Sequence, residues 1–169
     1  GSRLKSVVSE VPKPLAPVGG QPFLKHIIDN CLAQGVSDIV FLLYYEAEKI
    51  QEMLDKMRLS GCLNGVKVRI LTEGKPMGTG GAVLNAIEKL NLDESFLVMN
   101  ADTWLGTCIK LINDLGASSL AAVQVKHAER YGSVKIRNGS VKEFVEKRPF
   151  NQEGLINAGL YHLAPKDFD

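Results

Sequence analysis

A chain of 169 residues with 45% hydrophobic content has the length of one ordinary domain and enough apolar side chains for a buried core. Lysine and arginine total 20 against 19 aspartates and glutamates, so the net charge of +1 gives no general attraction to nucleic acid or an anionic membrane, and any anion binding must be local. No apolar run approaches membrane-spanning length and no secretory signal is visible; the three scattered cysteines, Cys31, Cys62 and Cys108, lack metal-site spacing and read as free thiols in a reducing, cytoplasmic setting.

The chain opens GSRL and continues to EVPKPLAPVGGQP at 10–22, which sets Lys13 between two prolines and follows it with a glycine pair. Each proline fixes its own φ and pushes the residue before it toward β or polyproline geometry, so Lys13 is expected on stiff, extended backbone as a cation suited to phosphate. Residues 22–34 carry Phe23, Leu24, Ile27, Ile28, Cys31 and Leu32 at helical spacing, with Gly35 placed to end the helix. A buried strand is expected at 39–43, a second helix at 46–57 through Ile50, Met53, Leu54 and Met57, and an alternating strand at 66–71. After the glycine-rich loop EGKPMGTGGA (73–82) comes a helix at 79–90, then FLVM at 96–99, wholly apolar as in a strand covered on both faces. A short helix at 108–115 and a strand at 119–125 lead into RYGSV (130–134). Strands at 133–136 and 141–144 flank Asn138-Gly139, the strongest short-range hairpin signal, and FVEKRP (144–149) follows. A last apolar strand at 156–163 carries most of GLINAGLY (154–161). This alternation predicts an α/β fold, a Rossmann-like doubly wound and mostly parallel sheet with an antiparallel hairpin addition, whose ligands bind beyond the carboxyl ends of the strands. One domain over 1–169 is expected, with every motif in a loop or at a strand end.

Asp102 follows FLVM after Asn100 and Ala101, and a carboxylate there either meets a hard cation with oxygen ligands or caps the next helix. In EGKPMGTGGA, Gly78, Gly80 and Gly81 let backbone approach a ligand closely and the helix beyond offers its first amides; a plain connection is the competing reading. Arg3 and Lys13 either neutralise charge on a phosphate centre or are solvated surface cations. Glu146 and Lys147 either accept from sugar hydroxyls and meet a sugar phosphate, or end a solvated strand edge. His26, His127 and His162 are spread out with no partnered serine or cysteine, so neither a hydrolytic triad nor a metal cluster is supported. Trp104 lines a sugar pocket or simply packs, and Met53 and Met57 read as core.

Taken in order, these motifs make the chain resemble the sugar-1-phosphate nucleotidylyltransferases from Arg3 to Leu163, and within them most closely the D-glycero-α-D-manno-heptose 1-phosphate guanylyltransferase branch. The resemblance implies the nucleotide-diphospho-sugar transferase fold and transfer of a nucleoside monophosphate, from GTP by preference, to a sugar 1-phosphate with release of pyrophosphate. By the same resemblance Arg3 and Lys13 are catalytic, Asp102 binds Mg²⁺, and Glu73, Gly78, Thr79 and Gly80 contact the nucleotide. Tyr131, Gly132, Glu146, Lys147 and Asn157 would hold the sugar phosphate. A carboxylate at Glu73 can accept from the two adjacent donors on the Watson-Crick edge of guanine, whereas uracil and thymine offer one. The implied partners are a nucleoside triphosphate and a sugar 1-phosphate, with no nucleic acid and no membrane; a homo-oligomer is left open. Enzymes of this branch make activated heptose for bacterial surface polysaccharides or glycoproteins.

Two departures stand beside the resemblance. The family's first strand and most of its phosphate-binding glycine loop have no counterpart before Arg3, and neither Asp167 nor Asp169 stands in the motif of its second metal-binding aspartate, so a longer biological protein is expected at both ends. Gly1-Ser2 is either native or a tag remnant. The alternatives are a uridylyl- or thymidylyltransferase acting on a hexose or amino-sugar 1-phosphate, and a non-catalytic module that senses nucleotide-sugar.

Overall fold

The computed structural model describes residues 11–128, 131–145 and 153–168. The chain divides into two compact units, with the boundary at Glu94 and Ser95.

The first unit starts with a 3-10 turn at Lys13–Leu15, then β1 (Pro17–Val18) and β2 (Gln21–Pro22), which pair antiparallel. Gly19 and Gly20 between them both take positive φ, +56° and +79°, as a two-residue hairpin of primed type demands. This miniature ribbon was not foreseen, because two-residue strands carry no periodicity. Lys13 also differs from expectation: Pro12 is extended (φ −57°, ψ 147°), but Lys13 opens the 3-10 turn, closed by Leu15 N–H donating to Pro12 C=O at 2.8 Å and Ala16 N–H to Lys13 C=O at 3.1 Å. Those local hydrogen bonds override the extended bias that Pro14 places on its predecessor.

Next come α1 (Phe23–Ala33), β3 (Asp38–Leu43), α2 (Ala47–Leu59), β4 (Lys67–Thr72) and α3 (Gly78–Leu90). Helix α1 buries Leu24, Ile27, Ile28 and Cys31, the stripe read from the sequence, and ends where Gly35 at φ +88° lets Val36 N–H return to Cys31 C=O at 3.1 Å. Strands β3 and β4 run parallel, Ile39 opposite Val68 and Phe41 opposite Ile70. Ile39, Phe41, Leu43, Val68 and Ile70 pack against a core of Leu24, Ile28, Ile50, Met53, Leu54, Met57 and Leu63. Side chains alternate along a strand, so Val40 and Leu42 face the other way, and α3 lies against β3. Each fully buried side chain such as Ile28 or Leu54 contributes roughly 1.5–3 kcal/mol. Burial also pushes the Cys31 thiol up to about 11, which keeps it protonated at neutral pH.

The second unit contains β5 (Phe96–Met99), α4 (Cys108–Asn113), β6 (Ser119–Val125), β7 (Ser133–Arg137), β8 (Ser140–Val145) and β9 (Gly154–Leu163). Its centre is β9, which pairs antiparallel with β6 along one edge; along the other it pairs with β5 through its carboxyl half and with β7 at Ile156. The parallel expectation therefore holds directly for β3 and β4, while β5 and β6 run in one direction on either side of an antiparallel β9. The hairpin β7–β8 turns at Asn138 (φ +52°) and Gly139 (φ +73°), the geometry its sequence calls for.

Strand β9 is not uniform. Leu120 pairs with Tyr161 and Ala122 with Asn157, so one β6 residue faces three of β9, and the excess is absorbed in a kink at Ala158–Leu160. Gly159 sits there at φ +72°, and a Cβ on it would lie 2.3 Å from Asn100 Nδ2. Only glycine fits.

Candidate functional site

In the first unit the candidate residues gather where β4 ends and α3 begins. Glu73 follows β4, its N–H bonded to Leu43 C=O at 2.8 Å, and its Oε2 accepts the Met77 N–H at 3.1 Å. The carboxylate therefore closes its own loop across 73–77. Gly78 opens α3 with φ +68°, and Thr79 and Gly80 are exposed in its first turn. A Cβ on Gly80 would meet nothing within 4 Å, whereas one on Gly81 would come 3.1 Å from Met77 Cβ. The helix start thus presents exposed amides on one side and packs on the other, a geometry that suits an anion or a flat ring. Lys13 is exposed on its turn.

In the second unit strand pairing assembles a separate group. Met99 pairs with Leu160, and the Asn100 N–H donates to Gly159 C=O at 2.8 Å, so the NAD turn after β5 lies against the kink of β9. Asp102 is exposed, and the Thr103 hydroxyl donates to its Oδ1 at 3.5 Å. It does not cap the helix that follows, since α4 begins only at Cys108 with Thr107 as its N-cap.

Asn157 has its side chain committed at both ends. Its Oδ1 accepts the Gly159 N–H at 2.9 Å, which forces Nδ2 to the opposite side, where it donates to the Tyr161 hydroxyl oxygen. The Asn157 N–H donates to Gly132 C=O at 3.0 Å, which ties the Tyr131-Gly132 segment to the same point; Tyr131 N–H is bonded to Ala128 C=O and its ring is half exposed. The Tyr131-Gly132 segment is therefore joined to β9 at Asn157, and the turn that carries Asp102 starts against β9 at Gly159, with NAG inside a strand rather than in a loop. Arg3, Glu146 and Lys147 lie outside the described residues.

Sequence reading passed over Asn100, Gly159 and Tyr161 as individual site residues. All three sit inside motifs already singled out, but the kink that gives them their places shows only in the strand register and in the burial of Ala158, Gly159 and Leu160 in succession.

Other reactive groups have structural occupations. His162 is buried with Nδ1 against Ala117 C=O at 3.1 Å. Asp167 accepts the Ala164 N–H and the Ser118 hydroxyl, each at 2.7 Å, and the backbone donor first, then the hydroxyl, holds its carboxyl below the usual range. Among the described residues no three His, Cys, Asp or Glu side chains converge on a metal position. A lone carboxylate still fits Mg²⁺, which keeps several waters and shares substrate phosphates instead of demanding a protein cage.

The nucleotidyl transferase family matches residues 1–169. D-glycero-α-D-manno-heptose 1-phosphate guanylyltransferase of Campylobacter jejuni is 32% identical over 170 residues, spanning 100% of this chain and 74% of that protein. The enzyme of the same name from Aneurinibacillus thermoaerophilus is 34% identical over 166 residues, spanning 95% of this chain and 69% of that protein. The crystal structure of HddC from Yersinia pseudotuberculosis complexed with GMP-PN is similar at a TM-score of 0.77 and 35% identity, across 97% of this chain and 72% of that one.

Proposed function

The chain belongs to the nucleotidyl transferase family, and from that premise we propose that it acts as one nucleotidyltransferase domain that moves GMP from GTP to D-glycero-α-D-manno-heptose 1-phosphate. Similarity to two enzymes named for that activity favours heptose and guanine over the hexose and pyrimidine alternatives. The observation that supports the reading is the β5–β9 pairing, continued by the Asn100 N–H bond to Gly159 C=O, which lays the start of the turn that carries the exposed Asp102 against the kinked NAG segment.

In this reaction an oxygen of the sugar phosphate forms a bond to the α-phosphorus of GTP, and the bond from that phosphorus to the bridging oxygen breaks, so pyrophosphate leaves with the electron pair. The nucleophile is already an anion at neutral pH, so the protein's work is positioning and charge neutralisation rather than proton removal. Asp102 would hold Mg²⁺, and a bound Mg²⁺ supplies neutralisation of phosphate charge. Lys13, with Arg3, supplies cations for the departing pyrophosphate. Exposed amides at Thr79 and Gly80 suit the nucleotide, and Glu73, with Oε2 tied to the Met77 amide, turns its remaining acceptor capacity to the paired donors of guanine. Asn157, Gly132 and Tyr131, with Glu146 and Lys147, take the sugar phosphate. Such an enzyme works where GTP is made, in the cytoplasm, and its product would feed surface polysaccharide assembly.

The test is pyrophosphate release by the source protein across GTP, UTP, dTTP, CTP and ATP, each paired with heptose, mannose and glucose 1-phosphates. Release confined to GTP with heptose 1-phosphate is expected, and release with another pair alone overturns the specificity. Asp102→Asn should lower turnover about 100-fold or more without unfolding the protein; unchanged Mg²⁺-dependent turnover removes Asp102 from the mechanism. Binding of nucleotide-sugar with no release from any pair would favour the sensor.

A further inference from the structure

We infer that Tyr161 is a positioning residue for the sugar 1-phosphate, acting through the side chain of Asn157. The inference rests on the reading of Asn157 as a sugar contact given above, and it names what aims that contact.

An asparagine amide has two ends of opposite character, and a free one samples both orientations. In this strand the choice is made by the backbone. Gly159 N–H can only donate, so the atom it meets at 2.9 Å has to be Asn157 Oδ1, and the amide nitrogen is thrown to the other side. There Nδ2 spends one of its two hydrogens on the Tyr161 hydroxyl oxygen, four residues further along the same strand. A uniform strand would hold residues four apart too far from each other for this bond. The kink at Ala158–Leu160 shortens the path and makes it possible. The kink in turn depends on Gly159, which is pressed against Asn100 and has positive φ.

With both ends held, Asn157 keeps one Nδ2 hydrogen and a lone pair on Oδ1, in a fixed direction, beside the Gly132 carbonyl that receives its own N–H. Loss of the tyrosine hydroxyl would leave Oδ1 anchored but free the amide to swing about its remaining bond. The ligand would then have to restrain it on binding, a cost that appears in the affinity for the sugar phosphate and not in the affinity for the nucleotide. Tyr161 is half-buried and pairs in the sheet with Val98 of β5 and Leu120 of β6, and removal of the hydroxyl alone leaves its ring and those strand pairings in place.

The experiment is a double-mutant cycle on the source protein, with GTP and D-glycero-α-D-manno-heptose 1-phosphate as the substrates. Tyr161→Phe should raise KM for the sugar 1-phosphate about fivefold, with KM for GTP unchanged, kcat within about twofold and the thermal midpoint preserved. In an Asn157→Ala background, Tyr161→Phe should have no further effect. An additive effect in that background would overturn the inference by making Tyr161 a contact in its own right. No effect of Tyr161→Phe, where Asn157→Ala alone raises the sugar KM, would overturn it while leaving the sugar assignment intact. A sugar KM untouched by Asn157→Ala would remove the assignment of Asn157 itself and the inference with it.

Discussion

Gly80 and Gly159 are the same residue put to opposite uses. At the start of α3, a Cβ on Gly80 would meet nothing within 4 Å, and the backbone has no unusual φ; inside β9, a Cβ on Gly159 would fall 2.3 Å from Asn100 Nδ2 with φ at +72°. The first glycine leaves room beside exposed amides, and the second is required for the protein to close on itself. Glycine-rich motifs therefore divide into those whose substitution is read in ligand binding and those whose substitution is read in folding, and a sequence alone does not separate them.

The largest effect that sharpens this contrast is expected from Gly159→Ala. The added methyl collides with Asn100 and forces a side-chain-bearing residue into left-handed geometry, so a loss of about 3 kcal/mol or more in urea denaturation is expected, together with loss of activity. A stability change below about 1 kcal/mol would mean that the kink relaxes freely and that Gly159 is no packing requirement. Gly80→Ala should go the other way, raising stability by up to about 1 kcal/mol through better helix propensity while weakening GTP binding. If GTP affinity is untouched, the loop glycine serves the helix start alone and the comparison loses its functional half.

Glu73 refines the same loop without altering its backbone. In Glu73→Gln the amide oxygen would keep the Met77 N–H, because that donor accepts no substitute, and the NH₂ would face outward in place of an acceptor. Preference for GTP over UTP should fall by about tenfold, read from kcat/KM, with little change in stability. Unaltered preference would assign Glu73 to loop closure only.

Much of this was legible because the controlling physics is local. The stripes of α1 and α2, the wholly apolar β5 and the Asn138-Gly139 turn are each settled within a few residues, and their bounds fall within two residues of expectation. The site was legible as a set of motifs and not as an arrangement. The helix-cap reading of Asp102 is removed only by the start of α4 at Cys108, with Thr107 as its N-cap. The kink of β9, the Glu73 loop closure and the Asn157–Tyr161 bond depend on register or on backbone donors, and neither leaves a mark in composition or periodicity. Lys13 marks the limit of a local rule, since hydrogen bonds on either side of it outweighed a proline bias.

Asp167 provides the smallest effect and a check on where aspartates serve folding instead of catalysis. Its carboxylate accepts the Ala164 N–H and the Ser118 hydroxyl, joining the turn after β9 to the residue before β6, and those bonds lower its folded pKa. A depressed carboxyl contributes stability that is fully present above its unfolded value and is lost as pH falls through the folded one. The thermal midpoint of the parent protein should therefore exceed that of Asp167→Asn at neutral pH by a small margin that closes as the pH drops below about 4. Turnover at neutral pH should be the same in both, in contrast to Asp102→Asn. A gap that persists at low pH would show that the asparagine disturbs the turn sterically, and loss of turnover would give Asp167 a place in the chemistry that its hydrogen bonds do not suggest.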